Sequence, residues 1–82
     1  MYELIISDKA KRQLGALERN VQERILKALE RIRIRPEAYV TKLVGCKEYK
    51  FRVGDYRIIM DIENNKLLIL VIKVGHRKNV YD

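Results

Sequence analysis

The sequence predicts an α+β fold made of an N-terminal strand, a helical hairpin and then a twisted, mainly antiparallel β-sheet. Two observations lead to this prediction. Apolar residues recur at helical spacing in the first half of the chain, and they recur at alternate positions in the second half. The length of 82 residues, of which 48% are hydrophobic, suits one small core, so we expect a single domain over residues 1–82.

The first strand and the first helix meet at Ser7. The apolar stretch "YELIIS" opens the chain as a short strand. The Ser7 hydroxyl can then accept a hydrogen bond from a backbone N–H of the first helical turn, and Asp8 adds a favourable negative charge there. The apolar residues that follow recur at helical spacing: Ala10, Leu14 and Leu17.

A second helix is expected to begin at Asn20. Asn20 and Glu23 have the spacing of a capping box, in which each side chain binds the backbone N–H of the other residue. One apolar stripe follows, formed by Val21, Ile25, Ala28, Leu29 and Ile32. Pro36 cannot continue a helix, so the helix ends before it and residues 36–40 form a connection.

Four stretches in the second half of the chain read as strands or parts of strands. They are "YVTKLVG", "KEYKFRV", "YRIIMDIE" and "KLLILVIKV". We expect Asn64 and Asn65 to form a two-residue hairpin turn between the last two. The run "LLILVI" is apolar at every position, which is typical of a strand covered on both faces, so it is predicted to lie centrally in the sheet.

The charge balance favours a polyanionic partner. The chain has 18 Lys and Arg residues against 11 Asp and Glu residues, which gives a net charge of +7. Such an excess attracts nucleic acid or an acidic protein. It is also found in basic proteins whose charged surface is simply solvated, so charge alone does not decide between these interpretations.

Cysteine content and hydropathy indicate a cytoplasmic protein. Cys46 is the only cysteine, which excludes a disulfide framework and a cysteine-rich zinc site, and we expect it to be a small buried residue. No apolar run approaches the length of about 20 residues that a membrane span needs. Acidic residues near the N-terminus stand where a secretory signal would carry basic ones. We therefore expect no membrane segment.

The segment "KFRVGDYRI" predicts a cluster of cations. If Gly54 and Asp55 are the two loop residues of a tight hairpin, Arg52 faces Arg57 across the strands and Lys50 lies diagonal to Arg57 on the same side. Like charges opposed across a sheet destabilise it, so this arrangement indicates a phosphate site. The alternative is that these long side chains extend into water, where salt screens their repulsion.

The C-terminal segment "KVGHRKNVYD" is expected to add charge to the same region. The last strand pairs with "YRIIMDI" and so runs back towards the start of that strand, which brings four further residues near Arg57: Gly75, His76, Arg77 and Lys78. Nearby cations lower the pKa of a tyrosine from about 10, so Tyr81 is a candidate general base; the alternative is an aromatic ring that packs the chain end onto the sheet. His76 has no second His or Cys with which to bind a metal, and we interpret it as a polar neighbour of the cations.

The chain resembles the RelE/ParE toxin superfamily, and within it the RelE-like mRNA interferases. The resemblance extends over nearly the whole chain and is carried by "KLVG", "YKFRVGDYRII" and the closing "VGHRKNVYD". It implies a RelE-like fold and a toxin that cleaves mRNA on the ribosome by attack of a ribose 2′-hydroxyl on the adjacent phosphate, with neither metal nor cofactor. It also implies a cognate antitoxin as partner, in a complex that binds operator DNA.

The resemblance assigns a role to each candidate residue. Lys50 and Arg57 match basic residues that bind the scissile phosphate. Arg77 matches an arginine that donates a proton to the leaving oxygen or stabilises the transition state, and Tyr81 matches the proposed base. Three further residues are candidates for binding RNA phosphates: Arg52, His76 and Lys78.

Two alternative functions stay open at this point. One is a ParE-like inhibitor of DNA gyrase, which shares the fold but acts by protein contact. The other is a catalytically weak member of the superfamily that acts in an antitoxin-bound regulatory complex. Glu48 bears on the second alternative, because it stands where the best-known RelE-like toxin has a further lysine.

Overall fold

The computed structural model describes residues 1–76, which form two α-helices and a five-stranded sheet. The elements are β1 (Glu3–Ile6), α1 (Asp8–Gly15), α2 (Arg19–Ile32), β2 (Thr41–Lys42), β3 (Tyr49–Val53), β4 (Tyr56–Glu63) and β5 (Leu68–His76). The strand order is β1-β5-β4-β3-β2; β1 runs parallel to β5 and all other neighbours are antiparallel. The predicted α+β fold is therefore confirmed, as is the central place of the strand that contains "LLILVI".

The predicted start of α1 is confirmed. The Ala10 N–H donates to the Ser7 Oγ over 3.1 Å, and Asp8 lies in the first turn. The same Ser7 hydroxyl donates to the Ile72 carbonyl over 2.9 Å. One side chain thus caps the helix and ties its N-terminus to β5.

The predicted capping box at the start of α2 is wrong. The helix begins one residue before Asn20, with Glu18 as its N-cap and without a capping side-chain bond, and the Asn20 Oδ1 accepts only from the neighbouring Val21 N–H. Val21 lies in the first turn of the helix and packs against the core. Gln22 also bonds back to the interhelical turn, since its Nε2 donates to the Leu17 carbonyl over 2.8 Å.

The core lies between the two helices and one face of the sheet. The apolar stripe predicted for α2 is confirmed, with Ile25, Leu29 and Ile32 fully buried and its other two members partly buried against the core. The sheet contributes residues of its three long strands, which alternate except for a three-residue step at the end of β5: Phe51, Val53, Ile58, Met60, Ile62, Ile69, Val71 and Val74. The helices therefore cover one face and leave the opposite face of the sheet to other functions.

The connection between β4 and β5 is longer than predicted. In place of a two-residue Asn64–Asn65 turn, a 3₁₀ turn spans Asn64–Lys66, and Leu67 follows in the left-handed conformation at φ 50°. The Leu67 carbonyl accepts a hydrogen bond of 2.7 Å from the Glu3 N–H. The longer connection thus supplies the first hydrogen bond between the β5 side of the sheet and β1.

The segment before β3 also differs from the prediction. Only two residues of "YVTKLVG" form a strand, and the following turn exposes Cys46, so the prediction of a buried cysteine is wrong. The Cys46 carbonyl accepts a hydrogen bond of 3.0 Å from Lys42 Nζ, which closes the turn at the surface. Within residues 1–76, neither helix is long and apolar enough to cross a membrane.

Candidate functional site

Three cations lie together on the sheet face that the helices leave uncovered. Val53 pairs with Tyr56 across a two-residue turn, which sets Arg52 directly opposite Arg57 and Lys50 opposite Ile59. Because side chains alternate along a strand, these positions lie on the face opposite to the core. The register predicted from "KFRVGDYRI" is confirmed.

A β-bulge in β5 brings a fourth cation to this face. The β4–β5 register shifts between Ile59 and Met60, so that Lys73 stands opposite Ile59 and Gly75 stands opposite Arg57. Without the shift, the register set by Glu63 and Leu68 would continue with Ile72 and Val74 at those two places. Lys73 was missed by the sequence reasoning. We call Lys50, Arg52, Arg57 and Lys73 the cationic face.

The two arginines of the cationic face have different surroundings. Arg52 is exposed, and its Nε donates to the Gly54 carbonyl over 3.3 Å, which holds the guanidinium near the turn. Arg57 lies on the more central strand, is half-buried, and its Nε is buried. On its β5 side Arg57 faces Gly75, which contributes no side chain. The central arginine is therefore the better enclosed of the two.

An apolar residue supports the lysines of the cationic face. Ile59 is only 3% exposed although its register places it on the face away from the helices, and it is not part of the core between helices and sheet. Its cross-strand neighbours are Lys50 and Lys73. Lysine stems can lie along such a residue while their ammonium groups reach outwards. Ile59 thus lies between the two lysines in the pairing register.

An acidic border lies on this face at the end away from the hairpin turn. Alternation places Asp61 there together with Glu48. The Asp61 side chain is 17% exposed, and its Oδ2 lies 3.5 Å from Lys47 Nζ. Asp61 was not anticipated from the sequence, although its position two residues beyond Ile59 on the same strand was sufficient to find it. An anion is therefore attracted towards the turn end of the face.

His76 does not join the cationic face. It pairs with Tyr56, and their rings meet edge to face with centroids 5.5 Å apart. Tyr56 packs against the core, so this pair belongs to the helix side of the sheet. Both rings line a cavity of about 460 Å³ beside α1. The expectation that His76 is a neighbour of the three hairpin cations is wrong in register, because the bulge moves it opposite Tyr56; its RNA-binding role stays a prediction.

Side chains of the first helix region hold β5 where it extends past β1. The pairing of β1 ends at Val71. Beyond it, Ser7 binds the Ile72 carbonyl, and the Gln13 Oε1 accepts from the Val74 N–H over 2.8 Å. These bonds satisfy backbone groups with which no other strand of residues 1–76 pairs on that side. They also fix the part of β5 that stands opposite Arg57.

Three predicted site residues lie outside the described part of the chain. These are Arg77, Lys78 and Tyr81. The described part ends close to Arg57: Gly75 pairs with Arg57, and His76 is the last residue of β5. Their roles remain predictions.

Comparison with known proteins identifies the family. A model of the family described as the ParE toxin of type II toxin-antitoxin systems, parDE, matches residues 4–81. The mRNA interferase toxin RelE of Escherichia coli K12 is 29% identical over 80 residues, which cover 94% of this chain and 84% of that protein.

Solved structures agree with this family. The intact E. coli RelBE toxin-antitoxin complex contains a chain that matches at a TM-score of 0.79 and 28% identity, covering 93% of this chain and 96% of that one. An archaeal RelE-RelB complex from Pyrococcus horikoshii matches at a TM-score of 0.80 and 26% identity, covering 96% and 98%. This chain is thus a RelE-like member of the ParE toxin family of type II toxin-antitoxin systems.

Proposed function

We propose that this toxin is an endoribonuclease that cleaves mRNA on the translating ribosome. One observation carries the proposal: Lys50, Arg52 and Arg57 share a sheet face in a register that opposes like charges. An RNA phosphate bound there would relieve that repulsion and would itself be polarised for attack. The similarity to a protein named mRNA interferase toxin RelE supports the same reaction.

The proposed reaction needs no nucleophile from the protein. The ribose 2′-oxygen forms a bond to the adjacent phosphorus, and the bond from phosphorus to the 5′-oxygen of the next nucleotide breaks. Tyr81 would accept the 2′-hydroxyl proton, and Arg77 would give a proton to the leaving oxygen or stabilise its charge. Lys50 and Arg57 would hold the non-bridging oxygens, whose negative charge grows in the transition state. One such donor is often worth about 3–4 kcal/mol.

The proposed partners follow from this reaction and from the family. We infer that a cognate antitoxin keeps the toxin inactive, as the relatives crystallised with RelB suggest. The active toxin would bind mRNA and the ribosome in the cytoplasm, and the antitoxin-bound complex would bind operator DNA. The excess of cations supports contact with nucleic acid.

A second candidate function is inhibition of DNA gyrase by protein contact. The description of the matching family model, which names ParE, favours keeping it. The clustered cations favour RNA cleavage instead, because a protein inhibitor has no need to concentrate like charges on one sheet face. A catalytically weak toxin that acts only in the antitoxin complex is the third possibility, and Glu48 on the cationic side of the sheet is its basis.

Primer extension on a translated message separates these functions. The wild-type toxin is induced in parallel with Arg77→Ala and Tyr81→Phe variants, and chromosomal DNA is examined for gyrase-linked breaks. New breaks inside codons that vanish with Arg77→Ala would support the nuclease. Gyrase-linked breaks with an intact message would support the second function, and an intact message with intact DNA would support the third.

A further inference from the structure

Lys50 and Lys73 are buried to an unusual degree for lysines. Both are half-buried, whereas every other lysine among residues 1–76 is exposed. A lysine stem can cover an apolar residue while its ammonium group stays at the surface. The apolar residue here is Ile59, which stands between the two lysines in the pairing register and is itself buried. The two stems thus belong to the cover of Ile59, which leaves both ammonium groups at the surface above it.

The charge of Lys73 is not compensated by the described part of the chain. No carboxylate of residues 1–76 lies within 4 Å of its ammonium nitrogen. Asp61 lies on the same face of the sheet, but its carboxylate is 3.5 Å from Lys47 Nζ. A partly buried charge is costly unless an opposite charge accompanies it. Lys73 is therefore a cation that an external anion would complement.

The backbone around Lys73 is fixed by the start of the first helix. Ile72 is the extra residue of the β5 bulge, because the residues on either side of it pair with consecutive residues of β4. The Ser7 N–H donates to the Val71 carbonyl and the Ser7 hydroxyl donates to the Ile72 carbonyl, each over 2.9 Å. The N–H that follows Lys73 donates to the Gln13 Oε1 over 2.8 Å. Bulges often direct a side chain into an active site, and these bonds hold this one in place.

Space for an anion lies beside Lys73. Lys73 and Gly75 both line the cavity of about 460 Å³ beside α1, so the cationic face and the cavity meet at these two residues. Lys9 also lines the cavity, and no acidic residue of the described chain does. An RNA chain can therefore approach Lys73 from the α1 side without meeting a carboxylate of that cavity.

We propose that Lys73 is a further catalytic residue, which binds a non-bridging oxygen of the scissile RNA phosphate from the side opposite to Lys50. The two ammonium groups and the Arg57 guanidinium would surround one phosphate above Ile59. Gly75 carries no side chain, which leaves room for the phosphate on the β5 side of Arg57. Lys73 would keep its protons and stabilise the negative charge that grows on the oxygen in the transition state. The inference rests on the proposed function for its substrate.

The competing interpretation is that Lys73 only covers Ile59, and three variants separate the two roles. Methionine is unbranched and apolar like the lysine stem, so Lys73→Met retains the cover and removes the ammonium group. Lys73→Arg retains a positive charge at the same position. Lys66→Met makes the same substitution at an exposed residue of the β4–β5 connection and is the matched control. Urea unfolding of each variant shows that it is folded.

The salt dependence of RNA binding tests the phosphate contact without cleavage. The probe is a short, fluorescent, single-stranded RNA whose 2′-oxygens are all methylated, so that it carries no nucleophile. Its affinity for the full chain is measured by fluorescence anisotropy at several salt concentrations. Each phosphate contact to a single strand contributes about 0.7 to the slope of log K against log salt concentration. Lys73→Met should lower this slope by about 0.7, whereas Lys73→Arg and Lys66→Met should keep the wild-type slope.

Single-turnover cleavage of a ribosome-bound message at saturating toxin tests the catalytic role. Lys73→Met should lower the maximum rate about 10²-fold, Lys73→Arg should restore most of it, and Lys66→Met should cleave like wild type. A wild-type chain that does not bind the RNA, an unchanged slope, or an unchanged maximum rate in folded Lys73→Met would each overturn the proposal. If wild type leaves the message intact while the slope falls only in Lys73→Met, the phosphate contact is supported and the proposed nuclease is contradicted.

Discussion

Arg52 and Arg57 lie directly opposite each other across the hairpin of β3 and β4. Like charges directly opposite each other across two strands disfavour the pairing of those strands. A bound anion between the two guanidinium groups would offset their repulsion. The toxin would then be less stable in isolation than its core allows and would gain stability when the anion binds.

Arg52→Thr is expected to stabilise the free toxin while it weakens RNA binding. Threonine suits a strand and removes the repulsion, so the free energy of unfolding should rise by about 0.2–1 kcal/mol. Urea unfolding measures this change, and RNA affinity is measured on the same sample. Arg52→Lys keeps the charge and should stay near wild type in stability. Both variants lose the Arg52 Nε bond to Gly54, so an Arg52→Thr variant that is no more stable than Arg52→Lys would contradict repulsion in the opposed pair.

Glu48→Lys is expected to raise cleavage. The substitution removes a negative charge from the acidic border of the cationic face and adds a positive one, which attracts the RNA phosphate more strongly. An increase of several-fold is expected when cleaved message is compared at matched toxin levels. Glu23→Lys makes the same change of charge on the exposed side of α2 and should have little effect. Equal rates in both variants would exclude a role for the border.

Gln13→Leu is expected to lower cleavage more than it lowers stability. The Val74 N–H loses its acceptor, so its hydrogen exchange should accelerate and the end of β5 should move relative to Arg57. A loss of about tenfold or more in rate is expected, because small displacements at a site are costly. The cost in unfolding free energy should be about 1 kcal/mol. Gln13→Glu retains an acceptor oxygen and should restore most of the rate; no rescue would contradict a positioning role.

Gly54→Ala and Gly15→Ala should change stability in opposite directions. Gly54 has φ 58°, and an added Cβ would also meet the Arg24 side chain, so alanine should cost about 1 kcal/mol or more. Gly15 lies at the end of α1 with nothing within 4 Å of an added Cβ, so alanine there should gain up to about 0.5 kcal/mol. Thermal unfolding of the two variants compares them directly, and similar midpoints would refute the strain at Gly54.

The sequence was sufficient where local geometry determines register. The length of a two-residue turn fixes which residues of β3 and β4 pair, and alternation fixes the face on which each side chain lies. The position of Arg52 opposite Arg57 could therefore be predicted. Ser7 could be identified because its side chain satisfies a free backbone donor of the helix that follows. In both cases the interacting residues are close in the chain.

The sequence was insufficient where the pattern fits two arrangements equally well. The strand β5 is apolar at consecutive positions, so alternation cannot reveal a bulge, and neither Lys73 nor the turn of His76 to the other face was foreseeable. The Asn64 connection was misjudged for a similar reason, since Asn suits several turn types. At Asn20 the local capping pattern was misleading, since the helix begins one residue earlier with Glu18 as its N-cap.

The most direct test of the cationic face as the active site is single-turnover cleavage of a ribosome-bound message by Arg57→Ala. The expected result is a rate about 10²–10³-fold below wild type, because Arg57 would stabilise the charge that develops on the phosphate. Arg19→Ala, which removes an exposed arginine at the start of α2, should cleave at nearly the wild-type rate. Folded Arg57→Ala that cleaves as fast as wild type would contradict the assignment of this face to RNA cleavage.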